Sequence, residues 1–175
     1  VLGIAMDPPA LAAVSAGQDG IVKVWDVRAR RCTHAIQGHQ GPVNAICMTE
    51  DCRVAISGGE DRTLRVWHPG SGKLIATFEG HQAPVRGVAV SYNGQFAASC
   101  GLDKTVRLWD VASGRCLNTL SGHTNETTGV AFPRDLKHVF SSSRDKKAAA
   151  WNLGITKDGH VSPTIICQAV SSEAA

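Results

Sequence analysis

The chain has 175 residues, of which 43% are apolar, and a formal net charge of +3. A chain of this length suffices for one globular domain, provided that its parts pack against one another. The basic residues are scattered, with small clusters only at Arg28/Arg30/Arg31 and Arg144/Lys146/Lys147 beside predicted turns, so no nucleic-acid partner is expected.

A repeat of 42 residues organises the chain. Tryptophan, aspartate and serine each return at this interval, and Gly-His precedes the last three units. A period of this size is typical of repeat architectures, in which each unit is one small structural element. The four predicted units cover residues 1–37, 38–79, 80–121 and 122–170.

The first unit begins at its innermost predicted strand. Val1–Met6 aligns with Val43–Met48 one period later, and no Gly-His comes before it. Ser15, Asp19 and Trp25 therefore recur here without a histidine.

The second unit shows the predicted strands most simply. Four apolar or alternating stretches, separated by polar turns, cover residues 43–48, 54–57, 63–67 and 74–78. The turn through Gly58-Gly-Glu-Asp61 and the turn His68-Pro-Gly-Ser-Gly72 are both short. Short turns join neighbouring strands, so each unit is predicted to be a four-stranded antiparallel meander.

The third unit, 85–120, is the most regular, and the fourth becomes weaker after 127–132. The third strand of the fourth unit contains three consecutive alanines before Trp151, and alanine is a poor strand former. Gly159-His160 lies nine residues after Trp151 instead of fourteen, so we interpret it as a turn before a last outer strand, 164–170. Residues 171–175 are expected to form a loose tail.

The recurring polar residues can satisfy one another's hydrogen bonds. Indole only donates, carboxylate only accepts, and serine and histidine can do both. The chain Trp N–H to Ser, Ser O–H to His and His N–H to Asp therefore leaves no member unpaired. The predicted sets are His39, Ser57, Asp61 and Trp67; His81, Ser99, Asp103 and Trp109; and His123, Ser141, Asp145 and Trp151.

These motifs resemble WD repeats, the blades of a WD-repeat β-propeller, over nearly the whole chain. The resemblance implies an all-β fold of four-stranded antiparallel blades and a structural role for the tetrads. The Asp of Trp-Asp is replaced by His68 and Asn152 in the second and fourth units.

Propellers of this family usually close with seven or eight blades, so a partial ring is expected. The missing blades would come from absent sequence, a second copy or a partner chain.

Ser, His and Asp are also the members of a catalytic triad. A hydrolase needs one exposed serine, whereas this set recurs three times with its serine engaged by an indole. A small hydrolase is therefore the less favoured hypothesis, and the protein is expected not to be an enzyme.

The resemblance implies that other proteins or peptides dock on a rim of the propeller. The predicted partner-binding residues occupy corresponding loops of successive units, and Arg86 is the strongest candidate because arginine is enriched in interface hot spots. They are Gln40, Asn44, Gln82, Arg86, Glu126 and Thr128. Trp25-Asp26-Val27-Arg28 also resembles the motif of substrate receptors of cullin-RING ubiquitin ligases, which gives an alternative function.

The six cysteines include no Cys-x-x-Cys pair, so neither a metal nor another cofactor is expected. Most lie inside apolar runs, and free, buried thiols favour a reducing compartment. We expect a cytoplasmic protein, with the nucleus left open.

No apolar run approaches the ~20 residues of a membrane-spanning helix, so no membrane partner is expected. The chain begins with Val1 instead of Met, which favours a fragment or a processed piece.

Overall fold

The computed structural model describes residues 1–7 and 11–154 and the backbone of a last strand at 164–170. In this part of the chain the strands form four antiparallel sheets, each with its four strands in chain order. The first sheet contains β1 (Gly3–Met6), β2 (Ala12–Ala16), β3 (Ile21–Asp26) and β4 (Arg31–Gln37). The second contains β5 (Val43–Met48), β6 (Ala55–Gly59), β7 (Leu64–His68) and β8 (Lys73–Phe78).

The third sheet contains β9 (Val85–Val90), β10 (Phe96–Gly101), β11 (Val106–Asp110) and β12 (Cys116–Leu120). The fourth contains β13 (Thr127–Ala131), β14 (His138–Ser143), β15 (Lys147–Asn152) and β16 (Thr164–Val170). Each sheet falls within one predicted unit. Gly159-His160 and the tail 171–175 lie outside the described residues.

Strand β6 continues through Gly58 and Gly59, which the sequence analysis assigned to a turn. Packing between sheets explains the difference. A Cβ atom on Gly58 would lie 2.5 Å from Cγ1 of Val85, in the next sheet. Glycine at this position therefore lets the third sheet approach the second closely.

The alanine-rich stretch 148–150 also lies in a regular strand, although alanine has a low intrinsic propensity to form strands. Strand β15 pairs with β14 on one side and with β16 on the other, so both neighbours bond its backbone. Ala149 is buried in the core between the third and fourth sheets. Tertiary pairing thus outweighs the low intrinsic strand propensity of alanine.

The sheets stack face to face in chain order. Strand β5 packs on β1 and β2, β9 on β5 and β6, and β13 on β9 and β10. A hydrophobic core fills each junction, and a tryptophan of the later sheet lies in each of these cores. These tryptophans are Trp67, Trp109 and Trp151.

The two end sheets leave apolar side chains exposed. Ile4 of the first sheet is 68% exposed, whereas Ile46, one period later, is buried. Phe140 of the fourth sheet is 47% exposed, whereas Ile56, two periods earlier, is fully buried. The additional blades expected from the sequence would pack on these faces. The described residues form a partial β-propeller, which confirms the predicted fold class, and they include no helix that could span a membrane.

Candidate functional site

Each of the last three sheets contains one hydrogen-bonded network of four side chains. In the second sheet His39 Nδ1 lies 2.9 Å from Asp61 Oδ1, and His39 Nε2 lies 2.7 Å from Ser57 Oγ. Trp67 Nε1 donates to the same Ser57 Oγ at 2.8 Å. The network joins β6, β7, the loop before β5 and the turn between β6 and β7.

The direction of these bonds follows from the chemistry of the groups. The indole can only donate, so Ser57 uses its hydrogen on His39 Nε2. Nδ1 then carries the imidazole proton and donates it to the carboxylate of Asp61. Every member of the network is paired while the imidazole remains neutral.

The third and fourth sheets repeat this geometry. His81 lies 2.7 Å from both Asp103 and Ser99, and Trp109 donates to Ser99 at 2.8 Å. In the fourth sheet the three corresponding distances are 2.9, 2.8 and 2.8 Å, among His123, Asp145, Ser141 and Trp151. In the first sheet Trp25 donates to Ser15 at 2.9 Å, while Asp19 accepts from the backbone N–H of Ile21.

Each aspartate of a complete network also holds two backbone segments. Asp61 accepts from the backbone N–H of Gln40 at 3.0 Å and from the backbone N–H of Thr63 at 3.2 Å. The Thr63 hydroxyl donates to the same carboxylate at 2.9 Å. Between Asp61 and Thr63, Arg62 adopts a left-handed conformation with φ of 65°. The carboxylate therefore stabilises a turn that L-residues otherwise disfavour. Thr63 and its counterpart Thr105 were not predicted as members of the network, although both stand two residues after the recurring aspartate.

In the second sheet's network, the pKa values of both His39 and Asp61 are lower than usual. Burial lowers the pKa of His39 below 6.5, because it outweighs the attraction of the Asp61 carboxylate. Burial alone would raise the pKa of Asp61, but bonds from the Gln40 N–H, His39 and Thr63 hold it below 3.8. Both shifts favour a neutral imidazole beside an ionised carboxylate.

The Ser-His-Asp geometry matches the order of groups in a catalytic triad, but the environment of the serine does not. Ser99 is fully buried, and its Oγ accepts the indole N–H of Trp109. A nucleophilic serine must face a substrate carbonyl beside an oxyanion hole. These buried networks therefore stabilise the sheets and leave no path for attack by Ser99.

The structure places the predicted partner-binding residues along one rim, where the Gly-His loops and the starts of the inner strands meet. Gln40 and Gln82 are exposed, and their backbone N–H groups bond Asp61 and Asp103. Thr124, not Glu126, is their counterpart in the fourth unit, because its N–H bonds Asp145 in the same way. Glu126 instead stands one period after Pro84, and it pairs with Arg144 at 3.1 Å.

Three residues of the rim form a cluster across the second and third sheets. Arg86 Nη1 lies 3.0 Å from Glu60 Oε1, which also accepts from Asn44 Nδ2 at 3.2 Å. Asn44 Nδ2 further donates to the Val85 carbonyl, in the third sheet, at 2.9 Å. We call Asn44, Glu60 and Arg86 the Glu60 cluster. Glu60 was not predicted from the sequence. Its partners Arg86 and Asn44 lie 26 and 16 positions away in the chain, so no local sequence pattern indicates the contact.

The segment Trp25-Asp26-Val27-Arg28 ends β3 and enters a turn. Asp26 Oδ1 accepts from the Ala29 N–H at 2.8 Å, so its carboxylate stabilises the turn. Arg28 is exposed on the surface. Thr128, the remaining predicted rim residue, bonds the hydroxyl of Ser142 at 3.1 Å.

The five cysteines whose side chains are described are all free. Cys100 is buried, and burial raises its pKa to about 12. Cys32 and Cys116 are exposed near the starts of the outer strands β4 and β12, so the expectation of buried thiols is wrong for these two. Among the described residues, no group of three or more His, Cys, Asp or Glu side chains is arranged to hold a metal ion.

Stacked four-stranded sheets, of which the last three are each tied together by a buried Trp-Ser-His-Asp network, define the class of β-propellers built from short repeats. A family model described as WD domain, G-beta repeat, matches residues 30–68, 72–110 and 114–152, and the chain therefore belongs to the WD-repeat family. Domains of this family generally serve as non-enzymatic scaffolds for protein–protein interactions. No curated protein matches the chain.

Proposed function

We propose that this protein is a non-enzymatic scaffold that docks other proteins or peptides on the rim containing the Glu60 cluster. The observation that carries the proposal is the junction-spanning arrangement of Arg86, Glu60 and Asn44. The Arg86 and Glu60 side chains are 39% and 33% exposed, so a partner can reach both while they remain fixed by each other. Preorganised charged groups at a rim favour specific recognition, because little side-chain entropy is lost on binding.

The networks beneath the rim support this role. Asp61 bonds the backbone of Gln40, and Asp103 bonds that of Gln82, so both exposed glutamines lie on loops fixed to the sheets. A rigid scaffold that positions exposed loop residues is the usual basis of a docking surface. Gln40, Gln82 and Thr128 would then provide polar contacts around the Glu60 cluster.

Quantitative affinity capture with mass spectrometry tests the proposal. The wild-type chain is compared with Arg86→Ala, with Glu60→Gln and with the control Arg53→Ala. Arg53 pairs with Asp51 at 3.6 Å in the turn at the other end of β5. Arg53→Ala therefore removes an arginine from an exposed ion pair that lies outside the rim. Partners retained by the control and lost by both rim variants, at unchanged melting temperature, are the expected result. Equal capture by all four proteins would remove the Glu60 cluster from the docking surface.

A substrate-receptor role in a cullin-RING ubiquitin ligase is the alternative, and its supporting observation is the exposed Arg28 beside the turn fixed by Asp26. Co-purification of a cullin adaptor with the wild type, and its loss with Arg28→Ala but not with Arg31→Ala, would favour this role. Absence of the adaptor from the wild-type sample would exclude it.

The proposal also includes the compartment in which the protein acts. The free, exposed thiols of Cys32 and Cys116 suit a reducing compartment, so we place the protein in the cytoplasm or nucleus. The partners are proposed to be proteins or peptides, and neither nucleic acid nor membrane is included.

A further inference from the structure

The tight turn between the second and third strands has the same geometry in all four sheets. The backbone N–H of its last residue donates to the carbonyl three positions earlier at 3.2 Å each time. This last residue has a positive φ of 64° to 77° and is, in chain order, Gly20, Arg62, Lys104 and Lys146. Side chains other than glycine rarely adopt this conformation, so the last three turns accommodate a cation at a conformational cost.

The backbone of each of these three cations is held by the aspartate before it. Asp61 and Asp103 accept from the backbone N–H two residues later at 3.2 Å, and Asp145 does so at 2.9 Å. The three carboxylates also bond the buried histidines, and each of their side chains is 9% exposed or less. The three cationic side chains, in contrast, are exposed. At each turn the negative charge is therefore enclosed and the positive charge faces solvent.

We call Arg62, Lys104 and Lys146 the cationic row. Its members occupy corresponding positions of three neighbouring sheets, on the rim that also contains the Glu60 cluster. Within the part of the chain that the structure describes, neither Arg62 nor Lys104 forms an ion pair. The row therefore carries positive charge that a partner can neutralise.

The acidic side chains of this rim do not neutralise the row. Glu60 and Glu126 pair with Arg86 and Arg144, at 3.0 and 3.1 Å. Glu79 is exposed, but it follows β8 at the outer edge of the second sheet. Among residues 38–154 the rim therefore presents more unpaired positive than negative charge, which favours an anionic partner.

The carboxylates of a protein fit this surface better than a nucleic-acid backbone. Phosphates follow one another closely along a nucleic acid, and they would also meet the carboxylates of Glu60 and Glu126 beside the cations. Nucleic-acid bases stack on aromatic side chains. Among the described residues, the exposed aromatic side chains of Tyr92 and Phe140 lie in the β9–β10 turn and on the face of the fourth sheet, away from this rim.

We propose that the cationic row binds an extended acidic segment of a partner protein, with one carboxylate of the segment at each sheet. Arg62 can hold a carboxylate through two parallel N–H bonds, whereas the two lysines act as single charges. The identical turns keep the three charges at corresponding positions along the rim. Because the row lies on the proposed docking rim, this partner chemistry rests on the proposed function.

A labelled peptide of alternating glutamate and serine, with twelve residues and about 40 Å long when extended, tests the proposal by fluorescence anisotropy. The 175-residue chain should bind it saturably and should not bind the same peptide with glutamine in place of glutamate. The triple variant Arg62→Gln/Lys104→Gln/Lys146→Gln should bind about tenfold more weakly, since each exposed ion pair contributes a few-fold. Glycine at the same three positions should cause the same loss. Glycine suits the left-handed backbone, so unfolding would not explain that loss.

A matched triple variant separates the row from overall charge. Arg53→Gln/Lys73→Gln/Lys137→Gln removes the same number of charges from exposed positions at the opposite rim. Its affinity should change less than about twofold, because charges more than ~10 Å from the peptide are largely screened at about 0.1 M salt. Equal weakening by both triple variants would show that only net charge matters and would overturn the proposal. So would tighter, row-dependent binding of a twelve-nucleotide single-stranded DNA, which would assign the row to nucleic acid.

Affinity capture distinguishes the acidic partner from the docking function on which it rests. Partners that are lost with Arg86→Ala but retained by the row variants would refute the acidic partner and leave the docking function intact. Unchanged capture by Arg86→Ala, together with row-dependent peptide binding, would support the row and remove the Glu60 cluster from the docking surface.

Discussion

Thr127 of the fourth sheet bonds both backbone groups of Gly101 in the third. Its Oγ1 accepts from the Gly101 N–H at 2.8 Å and donates to the Gly101 carbonyl at 2.7 Å. Val43 and Val85 occupy the corresponding positions of the second and third sheets and are also fully buried. One hydroxyl thus adds a polar connection to a junction that is otherwise apolar.

Replacing this hydroxyl by a methyl group should destabilise the fold without changing its shape. Thr127→Val preserves the side-chain volume but leaves the buried Gly101 N–H without its acceptor, which costs about 1–3 kcal/mol. Urea unfolding followed by tryptophan fluorescence measures the loss. Thr128→Val, at the exposed neighbouring position, is the control and should change the midpoint little. Equal midpoints for the two variants would show that the Gly101 bond does not contribute.

The serines of complete and incomplete networks should differ in their contribution to stability. Ser99→Ala removes the partner of both Trp109 and His81 in a fully buried site, with an expected loss of about 2–4 kcal/mol from two stranded groups. Ser15→Ala removes the partner of Trp25 alone, beside an open cavity, so its loss should be smaller. The free energies of unfolding of the two variants provide the comparison, and a larger loss for Ser15→Ala would contradict the network account.

Corresponding positions on inner and end sheets should respond differently to truncation. Ile56→Ala creates a cavity in the core between the second and third sheets and should cost about 2–5 kcal/mol. Phe140→Ala removes a larger side chain from an exposed sheet face, where surface substitutions usually stay within about 0.5 kcal/mol. Thermal denaturation of both variants tests this contrast. A strong loss for Phe140→Ala would show that a second molecule covers the face under the conditions of the measurement.

Acidification should weaken the fold from about pH 6.5 downward. His39 has a pKa below 6.5 in the folded chain, so the unfolded chain binds more protons as the pH falls through this range. Its stabilising contribution is therefore complete above pH 6.5 and is lost at lower pH. The lowered pKa values of Asp61 and Asp145 add a second loss below 3.8.

Two measurements check the pH dependence. NMR titration of the His39 ring should give a midpoint below 6.5. Melting temperatures between pH 7.5 and 5.5 should fall less steeply for His39→Gln than for the wild type, whereas His34→Gln, on an outer strand, should retain the wild-type slope. A His39 midpoint above 6.5 would reverse the sign and refute the explanation.

The repeat in the sequence determined the fold class, because each 42-residue unit carries its own strand pattern and turns. It also determined which side chains form the networks, since the donor and acceptor chemistry of Trp, Ser, His and Asp allows one complete pairing. Strand β16 was predicted with the bounds that the structure shows, although it follows an irregular segment.

Only the tertiary structure decided how the sheets meet. The approach of Val85 to Gly58 extends β6 beyond its predicted end, and backbone pairing on both sides makes a strand of the alanine-rich stretch. The position of Glu60 between Arg86 and Asn44 also depends on contact between separate sheets. These features involve residues far apart in the chain, and local periodicity contains no information on the distance between two packed sheets.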